Sequence, residues 1–169
     1  MSEIVNRIAN SSIATIDLEE FSPSGERVVF DLKDYLYMEL VLKEQDFRKA
    51  LKELDWSVYK DKYVAVHCSA DAIVPTWAFM LVVTYLDGVA ATYVIGDKEA
   101  LEQFLFHEAL KNIRPEDFAG RPVVVKGCSD LPVPLFAYGE IIRLLKGVAK
   151  SIMFGEPCST VPLYKRPKI

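Results

Sequence analysis

The sequence predicts an α/β domain: three layers, with a mostly parallel core sheet and an antiparallel or mixed addition at the N-terminus. Three observations predict this. Short β-branched, apolar runs recur at Tyr63–His67, Thr92–Ile95 and Val123–Val125, each the size of a buried strand. Between them lie longer stretches with helical spacing and a Pro or Asp near the start, where a first turn accepts either. Strands joined through helices rather than tight turns pair in parallel, by right-handed crossovers. With 169 residues, 51% of them hydrophobic and 26% charged, the chain is long enough to bury one core. It is read as one domain, residues 1–60 forming the addition and 61–169 a βαβαβα core.

Taken in order, Ile13–Leu18 and Arg27–Leu32 read as strands, with Pro23-Ser24-Gly25 as the turn between them. Asp34–Leu42 fits helix or strand. Glu44–Leu54 is an amphipathic helix by the spacing of Phe47, Ala50, Leu51 and Leu54. Tyr63–His67 is followed by a loop, and Pro75 opens a helix that Asp87 and Gly88 close. After the strand Thr92–Ile95, Asp97 caps a helix carrying Leu101, Phe104 and Leu105. Pro122 precedes the third strand, and a last helix is expected from about Pro134 to Phe154. Trp56, Tyr59, Tyr63 and Trp77 read as core aromatics, and Asp31, Asp34, Glu39 and Asp46 as a solvated face.

Several function classes are disfavoured. The net charge is −4 and the only basic cluster is the tail, Lys165, Arg166 and Lys168, so no nucleic-acid face is expected. The longest apolar run, Ile73–Leu86, contains Pro75 and is shorter than the roughly 20 residues that span a bilayer, so no membrane partner is expected. The opening MSEIVNRIANSS has an early acid and no long apolar stretch, unlike a secretory signal. No GxGxxG or GxxxxGK[ST] occurs, so no nucleotide cofactor is expected. An odd number of cysteines in no disulfide framework reads as a cytoplasmic chain with reduced thiols.

The cysteines carry the clearest motif. Each is followed by Ser, then by Val-Pro and an aromatic: CSADAIVPTWAF from Cys68, CSDLPVPLFAY from Cys128 and CSTVPLY from Cys158. Three thiolates suit zinc or an iron–sulfur cluster, with His67, Asp71, Asp130, His107 or water as a fourth ligand. Ser69, Ser129 and Ser159 would steady the sulfurs. Cys68 and Cys128 fall at strand carboxyl ends, just before a helix start, where ligands gather and a thiolate is favoured. Cys158 raises a difficulty: an unbroken last helix of about 20 residues spans ~30 Å and would carry it to the opposite edge. A break at Gly139 or Gly147, or a second subunit in a homo-oligomer, would resolve this.

One alternative is a small thiol enzyme using Cys68 or Cys128. Its base would be His67 or His107, yet His67 adjoins Cys68 and on a strand would face the other way. The other alternative is an interaction module whose cysteines are simply small core residues. The first two motifs also suggest an internal duplication. Asp71 and Asp130, the Val-Pro pairs, and Trp77-Ala78-Phe79 against Phe136-Ala137-Tyr138 recur about 60 residues apart, the length of two βα units.

The stretches HCSADAIVPTWAFML, VVVKGCSD and AKSIMFGEPCSTVPLYK resemble those of a bacterial family known as a domain of unknown function, number 2480. The resemblance runs from the IVNRIANSSIATIDLEEF opening to the tail. It implies no defined reaction and no catalytic residues. It does imply an accessory role near iron–sulfur cluster assembly, whose proteins would be the partners.

Overall fold

The computed structural model describes residues 13–127, 130–156 and 158–167. Along the chain the strands and helices are β1 (Ala14–Asp17), β2 (Arg27–Asp31), β3 (Leu36–Tyr37), β4 (Val41–Leu42), α1 (Glu44–Glu53), β5 (Tyr63–His67), α2 (Thr76–Leu86), β6 (Thr92–Ile95), α3 (Lys98–Leu110), β7 (Pro122–Lys126), α4 (Leu135–Leu145), β8 (Ser151–Glu156) and β9 (Ser159–Lys165). The protein is mixed α/β, its strands mostly parallel with antiparallel ones added. The chain divides into two compact units: Ser24–Phe104, and the segment up to Pro23 together with Leu105 onward. The boundary expected near residue 60 therefore falls inside a unit.

The Ser24–Phe104 unit is built on a parallel sheet of order β2-β5-β6. Val64, Ala65 and Val66 are fully buried in its central strand. α2 covers the sheet with Ala78, Val82 and Leu86, a repeat of four residues that keeps one face of the helix inward. α1 buries Phe47 and Leu51 on the same principle. Phe30 lies at the centre, stacked on Tyr35 at 5.2 Å and on Trp56 at 5.6 Å. The Trp56 indole satisfies its polar edge by donating to the Leu51 carbonyl at 2.8 Å, so Trp56 and Tyr59 are core aromatics as expected. The ambiguous stretch Asp34–Leu42 is neither one helix nor one strand. It closes a 3-10 turn (Leu32–Tyr35) and then makes the small hairpin β3–β4, with Met38 and Glu39 left-handed at its tip.

The other unit has the order β1-β7-β8-β9, parallel except for the last pair. Ile16, Val123, Val125 and Ile152 meet Ala137, Ile141 and Leu145 of α4 in one core. Three expectations are corrected. First, the last helix does not run to Phe154: α4 stops at Leu145, and Ser151–Glu156 is a strand. Ile152 and Phe154 pair with Val123 and Val125, a long-range pairing that overrides the local helical reading. Second, β9 follows as an antiparallel strand. Third, β1 and β2 are not a hairpin, since each enters a different sheet in parallel. The core strands accordingly form two sheets rather than one.

The two units repeat one plan. β5, α2 and β6 recur as β7, α4 and β8 with a constant displacement of 59 residues, from Tyr63 to Pro122 and from Thr76 to Leu135. The pairing Tyr63↔Thr92 becomes Pro122↔Ser151. Phe47 and Leu51 of α1 recur as the buried Phe106 and Leu110 of α3. β2 and β1 play the same part too: Asp31 pairs with His67, and Asp17 with Lys126, one displacement further along. One complete copy is thus inserted after the first strand of the other.

Candidate functional site

Parallel sheets receive ligands at the carboxyl ends of their strands, and in both units the chemistry-bearing residues gather there. In the Ser24–Phe104 unit, β2 ends at Asp31 and β5 at His67, register partners whose side chains meet with Nε2 3.9 Å from Oδ2. Asp31 accepts the Lys33 N–H and the Ser69 N–H, each at 2.9 Å. Partial burial raises its pKa, but these bonds, the Ser69 hydroxyl and nearby His67 outweigh it, leaving the carboxyl below its ordinary value. Asp31 is therefore no member of a solvated face: it ties the thiol loop to the end of β2.

Cys68 is half-buried. With His67 it lines a cleft of about 360 Å³, closed elsewhere by Val66, Phe79, Ile95 and Gly96. Since β5 ends at His67, strand alternation does not separate the two side chains. The expected helix start beside the thiol is absent, however. α2 begins at Thr76, and Sγ instead donates to the Ala70 carbonyl at 3.8 Å. Asp71 is exposed and does not line the cleft.

In the other unit, Cys128 lies outside the described residues. Asp130, just beyond it, is exposed, and its N–H donates to the Glu19 carboxylate at 3.2 Å, with the Leu131 N–H at 3.4 Å. Glu19 here does for its loop what Asp31 does for Ser69. Asp17 instead holds Lys126 at 3.0 Å, with Glu156 at 3.9 Å from the same ammonium. The bond to Asp17 and the surrounding acids raise the Lys126 pKa. Cys158 is exposed in the turn after β8. Because β8 is parallel to β7, that turn lies at the carboxyl edge of its own sheet, so the difficulty raised by an unbroken last helix disappears. His107 sits on α3 with Nδ1 3.7 Å from the buried Glu140 carboxylate, which Arg143 also pairs, and edge-on to Phe136.

Among the described residues no group of three or more His, Cys, Asp or Glu stands where it could hold one metal ion. No described helix is long and apolar enough to cross a membrane. The family model described as Protein of unknown function (DUF2480) matches residues 2–166. The chain belongs to this family. No curated protein and no solved structure matches it.

In this DUF2480 member, the edge residues that composition concealed are Asp31, Asp17, Glu19 and Lys126. A signal for two of them was present. ATIDLEEF and RVVFDLKDY share a strand ending in Asp-Leu, and in each the Asp side chain accepts from the backbone two residues on, Glu19 at 3.1 Å and Lys33 at 2.9 Å.

Proposed function

We propose that the protein is a non-catalytic, thiol-bearing accessory that binds a soft ligand, a metal ion or metal cluster, at the cleft of the Ser24–Phe104 unit. One observation carries this reading: Cys68 and His67 line a single cleft, its loop fixed by Asp31. Thiol sulfur with imidazole nitrogen is a donor set that favours zinc, copper or iron over hard cations. Binding is favoured over catalysis because the thiol donates its hydrogen bond to a backbone carbonyl rather than to a base.

A second reading joins Cys68, Cys128 and Cys158 as ligands of one zinc ion or iron–sulfur cluster, in the service of iron–sulfur assembly proteins or within a homo-oligomer. It is favoured by the position of Cys158 at the carboxyl edge of its sheet, the edge at which β7 also ends. Metal content of protein purified without oxygen separates the two. Metal lost on Cys68→Ser and kept on Cys158→Ser supports the cleft. Loss on any of the three Cys→Ser changes supports the three-cysteine set, and protein that neither carries nor takes up metal contradicts both.

A further inference from the structure

Each unit holds a cleft at the same place. Val66, Phe79 and Ile95 wall the first. Their counterparts 59 residues on, Val125, Tyr138 and Phe154, wall the second. The surroundings differ. Where the first cleft has His67 and Cys68, the second adds only aliphatic side chains: Leu135, Ile141 and Ile142 from α4, Val161 and Leu163 from β9. The counterparts of His67 and Cys68, Lys126 and Gly127, do not line the second cleft, so its lining is apolar where the first is partly polar.

We infer that the cleft between α4 and β9 is a second ligand site, taking a neutral apolar small molecule such as a two-ring aromatic or a short alkyl chain. Its volume is about 360 Å³; a dry apolar cavity of roughly 150 Å³ already admits benzene. A charged ligand would lose hydration there that an almost wholly apolar lining does not replace. The fourth wall is β9, which has no counterpart among the described residues of the Ser24–Phe104 unit. That wall is built in place. β9 pairs with β8 from Ser151↔Lys165 to Glu156↔Ser159. Gly155 takes φ +121° where the two strands meet, so close that a Cβ would stand 2.6 Å from the Ser159 carbonyl oxygen. At the mouth, Leu135, Val161 and Leu163 are 86%, 60% and 54% exposed, a contiguous apolar rim of the kind that marks a binding site. The result is a groove with β7 and β8 as its floor and α4 and β9 at its sides, rather than a flat surface.

The inference is independent of what Cys68 binds. Its test is a fluorescence titration of the reduced full-length chain with N-phenyl-1-naphthylamine. Saturable one-to-one binding is expected. Leu163→Asp and Val161→Asp, both at exposed positions, should each weaken it at least tenfold while circular dichroism stays that of the wild type. Met80→Asp, an exposed change on α2 outside both clefts, should leave it unaltered. Absence of saturation, or Leu163→Asp and Val161→Asp proteins that bind as wild type, would overturn the inference. So would sedimentation showing that wild-type chains self-associate through this rim and that the probe merely competes with a second copy.

Discussion

The Ser24–Phe104 unit and its partner unit have the same strand register and helix placement, yet their carboxyl edges carry different chemistry. Asp31 faces His67 in one, and Asp17 faces Lys126 in the other. The thiol loop is tied by Asp31 in the first, and the equivalent loop by Glu19 in the second. One cleft has a thiol and an imidazole in its lining, while the other is lined by aliphatic and aromatic side chains. The buried positions keep one frame in both units, while the residues at the strand ends and around each cleft differ.

The largest effect should come from the core. Phe30 and Ile16 occupy the same place in their units, but only Phe30 is stacked between two rings. Phe30→Ala should cost about 3–5 kcal/mol and Ile16→Val about 1 kcal/mol, measured by denaturant unfolding. A loss below about 2 kcal/mol for Phe30→Ala would contradict its place in the stacked aromatic core.

The edges should respond to opposite ends of the pH scale. The folded-state pKa of Asp31 is lowered, so its contribution is present above the unfolded carboxyl value and lost as pH falls through the folded one. Asp31→Asn should therefore destabilise by about 1–2 kcal/mol at pH 7, and the gap to wild type should close below about pH 4. Lys126 is raised, so its contribution is full below the unfolded lysine value and lost as pH climbs through the folded one. Lys126→Met should lower the melting temperature slightly at pH 8 and not at all in strong alkali. A gap that widened in acid for Asp31→Asn would contradict the arrangement at the end of β2. Smallest of all is Asp71→Ala, exposed and away from the cleft. It should shift stability by less than about 0.5 kcal/mol and leave metal content unchanged.

Much of this was legible in the sequence, unevenly. The main helices and strands from Glu44 to Ile95 could be read because each is an apolar or amphipathic run bounded by a cap, a Pro or a Gly. The strand Ser151–Glu156 could not be read locally, since AKSIMF suits helix or strand until β7 supplies an edge to pair. The repeat held the missing clue: GVA precedes Thr92–Ile95 and also Ser151–Phe154, each strand running on into Gly and an acid. The interleaving of β1 and β2 was hidden for another reason. Parallel partners are chosen by contacts far along the chain, and neighbouring strands read most simply as a hairpin. Asp31 looked solvated because nothing near it in sequence reveals that Ser69 returns to the end of β2.

The most direct test of the central claim, that the Cys68 cleft is the soft-ligand site, is cobalt(II) titration of the reduced full-length chain, followed by thiolate-to-metal absorbance. A band saturating at about one equivalent is expected, as one ion at one site requires, abolished by Cys68→Ser, weakened by His67→Ala and retained in Cys158→Ser. A band that survives Cys68→Ser, or no band in the wild-type protein, would contradict it.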